Sequence, residues 1–266
     1  MLVLSRFLFA TVFCVTLVSC ATSPTGRSQL VLFPSGQMSQ MGVAAFADMK
    51  EKGKVAKAMG TSQYVSCVAA AVTAELPSSY QKEWEVVVFS DKSANAFALP
   101  GGKIGVHTGL LDVAVNQNQL ASVIGHEVGH VLSQHGNERM SIQFASDTGQ
   151  QLLGALIENG QQKADLMAAL GLGGKYLVQL PYSRTHESEA DLLGLDLMAK
   201  AGFNPEASVE VWQNMSKGSK GEPLEMMSTH PSNKTRINNL SNNMPRATEV
   251  YNAAQQQGKR PRCVRN

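Results

Sequence analysis

Residues 116–132 read Asn116-Gln117-Asn118-Gln119-Leu120-Ala121-Ser122-Val123-Ile124-Gly125-His126-Glu127-Val128-Gly129-His130-Val131-Leu132. Asn116 is a good helix N-cap, and Gln119 follows three residues later in capping-box register. On a wheel of 100° per residue, Leu120, Val131, Ile124, Val128 and Leu132 gather within about 120°. His126 and His130 fall at about 240° and 280°, nearly opposite that stripe. Gly125 and Gly129 lie between, at about 140° and 180°, and permit another element to approach closely. The segment therefore predicts a helix with one face in the core and two imidazoles on the other.

His-Glu-x-x-His has a chemical reason for its spacing. Positions i and i+4 bring two imidazoles onto one metal ion at roughly 2.0–2.1 Å each. Glu127 follows His126 directly, so its carboxylate is offset from the metal and reaches a water there instead. A pair of core histidines would explain the imidazoles but not the intervening Glu. One Zn²⁺ per chain is the expected cofactor, with His126 and His130 as ligands. The extended histidine motif would need a third His at position 136, which is Gly136. His135 is one residue short, and its wheel angle of about 60° places it toward the core as a structural residue.

A third ligand is supplied by Tyr182-Ser183-Arg184-Thr185-His186-Glu187-Ser188-Glu189-Ala190-Asp191-Leu192-Leu193-Gly194. This stretch predicts a second helix, capped near Ser183 and ended by Lys200-Ala201-Gly202 before Pro205. With Glu187 at zero on the wheel, Asp191, Gly194 and Met198 lie within about 40°, whereas Glu189 sits near 200° beside Asp196. Glu189 is thus assigned to the solvated face and Glu187 to the metal. Asp191, one turn on, is placed to accept a hydrogen bond from a ligand His.

Around this core the chain has 266 residues, 43% of them hydrophobic and 17% charged, enough for a substantial packed domain. Its 23 basic and 21 acidic residues leave a net charge of +2, which implies no nucleic-acid partner. Residues 1–20 read as an export signal: Arg6 precedes a 12-residue apolar run, too short to cross a bilayer as a helix. Leu17-Val18-Ser19-Cys20 resembles the lipobox of bacterial lipoproteins, which makes 1–19 a signal peptide and Cys20 the lipidated residue. Several acyl chains on one residue would anchor a domain stably. Ala21 after the Cys resembles the pattern sorted to the outer membrane, so the expected location is that membrane's periplasmic face. Cys14 leaves with the signal, and Cys67 and Cys263 can pair as a disulfide in an oxidising compartment or remain as two free thiols.

Residues 20–34 read as a polar, Pro-containing tether, 35–250 as one α+β domain and 251–266 as a basic tail. A helix is expected from Ser35 to about Lys52, and another over about 62–76. Strands follow over 84–89, 94–99 and 103–107, with a Pro100-Gly101-Gly102 turn, as a small antiparallel sheet beside a mainly helical zincin-like domain. Residues 140–180 carry no clear pattern.

The chain resembles the gluzincin metallopeptidases that include the CAAX prenyl protease, HtpX and OMA-type proteases. The resemblance rests on His126-Glu127-Val128-Gly129-His130 with Glu187-Ser188-Glu189-Ala190-Asp191, on residues 95–102 and 201–205, and on His230-Pro231-Ser232 with Arg236-Ile237. The tether Pro24-Thr25-Gly26-Arg27-Ser28-Gln29-Leu30 resembles the exported lipoprotein (LoiP, or YggG) branch. Unlike the CAAX protease and HtpX, this chain has no later apolar segment long enough to span a membrane.

The resemblance implies a zinc endopeptidase with Glu127 as general base. It implies that Asn95, Ala96, Phe97 and Ala98 lie on an edge strand along which an extended polypeptide pairs. It places His230 near the metal, either closing the fourth position or assisting catalysis. Arg236 would stabilise the oxyanion or pair with an acidic surface group. Unfolded envelope proteins are the expected substrates, and other envelope proteins are possible partners. The alternative is a latent periplasmic lipoprotein that acts mainly in binding or assembly.

Overall fold

In a computed structural model the described residues are 20–80, 83–155, 182–218, 226, 230 and 234–265. The signal segment 1–19, the side chain of Cys20 and residues 156–181, most of the patternless stretch, lie outside them.

Two short strands open the chain, β1 (Cys20–Thr22) and β2 (Ser28–Leu30), paired antiparallel around a turn at Gly26. Helix α1 (Ser35–Lys52) has the bounds that its apolar spacing predicts. Helix α2 (Met59–Thr73) starts and stops three residues earlier than expected. Strands β3 (Glu85–Phe89), β4 (Ala96–Leu99) and β5 (Lys103–His107) form one sheet in the order β3-β5-β4.

The fold is α+β, as expected, but this sheet is mixed rather than antiparallel. Strand β4 turns through Gly101 and Gly102, both at positive φ, into an antiparallel pairing with β5. Strand β5 then inserts between β4 and β3, so β3 and β5 run parallel with Glu85 opposite Lys103. Alternating strand directions yield only antiparallel pairs when neighbours in space are neighbours in sequence. The inserted strand breaks that condition, and β4 is left on an edge.

Helix α3 (Gln117–Leu132) is the centre of the molecule, with its residues 119–130 all buried. Leu120, Ile124 and Val128, the predicted stripe, join one continuous core with α2, the sheet and the later helices. Helix α4 (His135–Ala155) starts after a break in which Gln134 takes φ 51°. Helices α5 (Arg184–Lys200), α6 (Ala207–Gly218) and α7 (Lys234–Gln256) complete the described residues. Helix α5 crosses α3 through its glycines: a Cβ on Gly194 would stand 2.6 Å from the His126 amide nitrogen. Among the described residues no helix is long and apolar enough to cross a membrane.

After α7 the chain runs back to α2, where Cys263 forms a disulfide with Cys67 at a Cα–Cα distance of 5.7 Å. Gln117 at the start of α3 accepts from the Cys263 amide and donates to the Pro261 carbonyl. The basic tail is therefore packed against the fold. The N-terminal tether is packed as well: Ser23 and Gln29 are buried.

Candidate metal centre

Helix α3 is held at its N-terminus by Asn116, whose side chain accepts from the amides of Asn118 and Gln119. The reciprocal bond of the expected capping box lands one residue earlier, from the Val115 amide to Gln119. Helix α5 is capped by Ser183, which accepts from the His186 amide while the His186 ring accepts from the Ser183 amide. An imidazole here fills the place that Glu or Gln takes in a capping box. With both helices fixed and touching at glycine, Glu187 is brought against His126 and His130.

Four donor groups converge. His126 Nε2 lies 3.1 Å from His130 Nε2 and 3.4 Å from His230 Nδ1. Glu187 oxygens lie 3.5 Å from each of the Nε2 atoms of His126 and His130, and 3.0 Å from His230 Nδ1. Ligands at 2.0–2.1 Å on a tetrahedral ion are separated by roughly 3.3–3.4 Å. The donor set has the dimensions of a tetrahedral site, and all four residues are buried.

Proton placement leads to the same conclusion. Asp191 Oδ1 lies 3.0 Å from His126 Nδ1, so that nitrogen carries a hydrogen and Nε2 is the ring atom turned toward the other donors. His135 Nε2 lies 3.0 Å from Glu189 and therefore donates to it, leaving His135 Nδ1 to accept. Burial holds the His135 pKa down at about 4, so it is neutral. His130 Nδ1, at 2.9 Å, must then donate to His135, and His130 Nε2 presents a lone pair. Two imidazole nitrogens facing one another at 3.1 Å need a proton or a metal ion between them, and although burial lowers the His126 pKa, the Asp191 and Glu187 carboxylates bring it up to about 9, so this spot favours positive charge. The residues present fit a bound metal.

The catalytic candidate Glu127 is buried, and its Oε1 has no hydrogen-bond partner among the described residues. That oxygen is 3.6 Å from His230 Nε2. Burial pushes the Glu127 pKa up. The backbone amide of His230 donates to the Met226 carbonyl at 2.8 Å. Pro231 and Ser232, part of the same motif, lie outside the described residues.

Arg236 on α7 pairs with acids, but buried ones rather than a surface group. Its guanidinium donates to both Asp191 oxygens at 2.7 Å, lies 2.5 Å from Glu187 Oε2, and stacks 3.8 Å over Trp212. Burial alone would raise the Asp191 pKa, but the Arg236 charge prevails and holds it low.

Asn95, Ala96, Phe97 and Ala98 run into and along β4, beside α3. Ala96 and Ala98 point into the core, while Asn95 and Phe97 are half-buried. Beyond this edge a cavity of about 450 Å³ reaches His130, lined by Met38, Trp84, Leu99, Val131 and Tyr182. Among the described residues no acidic, Lys or Arg side chain lines it.

Sequence reasoning missed several groups. Tyr182 stacks on His130 with ring centroids 3.7 Å apart, under the guanidinium of Arg139. Glu189, expected on the solvated face, is buried and bonded to His135. The wheel places it correctly opposite Glu187, but the N-terminal ribbon covers that face. A signal was available: α4 carries His135-x-x-Glu138 and α5 carries His186-x-x-Glu189. The two pairs cross-bond, His135 to Glu189 at 3.0 Å and His186 to Glu138 at 3.1 Å, with their rings stacked.

A buried His-Glu-x-x-His helix facing a glutamate on a second helix defines a gluzincin-type metallopeptidase centre. Residues 60–244 match peptidase family M48, and the chain belongs to that family. It is 36% identical over 189 residues to the mitochondrial metalloendopeptidase OMA1 of Schizosaccharomyces pombe, a match covering 70% of this chain and 54% of the relative. It is 31% identical over 157 residues to the metalloprotease LoiP of Escherichia coli, covering 59% of this chain and 61% of LoiP. It is 28% identical over 187 residues to the beta-barrel assembly-enhancing protease of Yersinia pestis, covering 68% and 38%. The matched region is thus only part of each relative's length.

Proposed function

We propose that the chain is a zinc endopeptidase of the bacterial cell envelope, anchored through lipidated Cys20 to the periplasmic face of the outer membrane. Its substrates are unfolded or damaged envelope proteins. The observation that carries this reading is the convergence of His126, His130, Glu187 and His230 beside the unbonded carboxylate oxygen of Glu127. His126, His130 and Glu187 would hold the ion. Zinc bound there would supply Lewis acidity, polarising a scissile carbonyl and making water more acidic.

The chain's own residues do the rest. Glu127 takes a proton from the attacking water at Oε1 and returns it to the departing amine. Its raised pKa, a consequence of burial, suits a group that must both take and give a proton. The edge of β4, which pairs with no other strand among the described residues, offers backbone groups to an extended substrate. The cavity beyond it, lined by no acidic, Lys or Arg side chain among the described residues, favours apolar substrate side chains, because a charged one would be desolvated without a partner. Arg236 keeps Glu187 and Asp191 ionised and in place.

A second reading has its own observation. His230 stands within the donor set at 3.0 Å from Glu187, where it would complete a closed four-ligand site. Such a protein would rest in a latent form and act mainly in binding or assembly. Metal content and casein cleavage by wild type, Glu127→Gln and His230→Ala separate these readings. The endopeptidase reading expects zinc in all three and cleavage by wild type that Glu127→Gln abolishes; higher turnover in His230→Ala would show that His230 closes the resting site. Undiminished cleavage by Glu127→Gln sinks the assignment of the base. Zinc with no turnover, even in His230→Ala, makes the chain a binding factor.

A further inference from the structure

The N-terminal ribbon is not packed on a passive surface. Arg27 donates from Nη1 and Nη2 to the two Glu138 oxygens, both at 2.7 Å. Its Nε and Nη2 donate to Glu189 Oε2 at 3.1 and 3.0 Å. Thr25 donates its hydroxyl to the other Glu189 oxygen. Gln29 donates to Glu138 at 2.9 Å and to the carbonyl of Ser133, the residue that ends α3, at 2.6 Å. Glu138 and Glu189 are nine-tenths buried or more. One guanidinium from the first ten described residues therefore clamps the two carboxylates of the crossed His-x-x-Glu pairs.

From Glu189 the contacts continue to His135 at 3.0 Å and from His135 to the metal-facing His130 at 2.9 Å. His126 has a carboxylate, Asp191, directly on its outer nitrogen. His130 instead reaches its carboxylate through an interposed imidazole.

We propose that Arg27, Glu189 and His135 form a positioning relay that fixes the tautomer and ring orientation of His130, so that the N-terminal ribbon is a structural part of the metal centre. This inference rests on the reading that His130 ligates a metal. A ring that loses its outer hydrogen bond can rotate or carry its proton on the metal side. Loss of such outer partners typically costs 10–100-fold in metal affinity.

The test uses the full mature chain and zinc alone. Zinc affinity is measured by chelator competition, ligand geometry by the visible spectrum of the cobalt(II) form, and metal-free stability by thermal unfolding. His135→Leu removes the acceptor and should weaken zinc binding by about 10–100-fold. His135→Asn places an amide oxygen where Nδ1 stands and should stay within about threefold of wild type. Arg27→Met should lose about tenfold and shift the cobalt spectrum, although the side chain lies outside the ligand set. Wild-type affinity in His135→Leu, or equal losses in His135→Leu and His135→Asn, would overturn the relay. If His135→Leu does not fold, Glu189→Ala against Glu189→Gln makes the same comparison, with the loss expected only in Glu189→Ala. A wild-type chain that binds no zinc would instead refute the metallopeptidase reading, and the relay with it.

Discussion

Substituting Gly194 by Ala adds one methyl group where α5 crosses α3 at close range. Its Cβ would stand 2.6 Å from His126 N, 2.8 Å from Gly125 C and 2.9 Å from His126 Cα. All three are backbone atoms of the ligand helix, so no side chain can swing aside. Ordinary contact begins near 3.4 Å, and α5 must retreat from α3 by about 0.8 Å to reach it. That movement carries Glu187 away from His126 and His130, whose donor separations across the two helices are 3.5 Å. Metal–ligand distances tolerate only about ±0.2 Å.

Two effects should therefore appear together. Overpacking should cost about 1–3 kcal/mol in metal-free stability. Zinc affinity should fall on the order of tenfold or more, the scale on which misplaced ligands are felt. Thermal unfolding of the metal-free chain measures the first and chelator competition the second. Gly36→Ala is the control, since a Cβ there meets nothing within 4 Å and should lower neither quantity. A Gly194→Ala protein with wild-type melting temperature and wild-type zinc affinity would refute the claim that glycine contact sets the helix separation.

Reduction of the Cys67–Cys263 bond opens a loop with a sequence separation of 196 and should cost up to about 5 kcal/mol. The melting temperature should drop by about 10 °C in reducing agent; equal melting with and without reductant would show that the bond contributes nothing. Acid should release the N-terminal ribbon. Burial would raise Glu189, but bonds from Ser23, Thr25, His135 and Arg27 bring its pKa from 4.5 down to about 2, and Glu138 is lowered as well. A carboxylate held low in the fold stabilises it above the unfolded value and loses that contribution as pH falls from 4.5 through 2. For Glu189 this amounts to about 3 kcal/mol. Protection factors over residues 20–30, taken relative to the intrinsic exchange rate at each pH, should fall between pH 5 and pH 2, and unchanged protection would refute the network's role.

The legible parts of the molecule are those decided within one helix. The N-cap at Asn116, the stripe of Leu120, Ile124 and Val128, the imidazoles opposite it, and Asp191 one turn beyond Glu187 all follow from 3.6-residue geometry. Sheet order was not legible, because β5 inserts between its predecessors by a choice of tertiary partner that no local period records. The same holds for the bounds of α2. Apolar residues over 62–76 mark what the core wants, not where the backbone begins its hydrogen bonds at Met59.

Glu189 shows where the wheel stops being informative. A wheel separates the faces of a helix but cannot say which elements will cover them. Assigning the face opposite Glu187 to solvent assumed that a polar residue there has no partner. Its partner, Arg27, lies 162 residues away in a segment whose Pro, Thr and Gly look like a flexible tether. A buried acid needs a cation or several donors. Arg27, Thr25 and His135 supply both, so burial of Glu189 and order in the tether are one event. The dependence runs in both directions: Glu189 and Glu138 hold residues 25–29 against the domain, and Arg27, with Thr25, Gln29 and the two imidazoles, supplies the partners that let the carboxylates be buried.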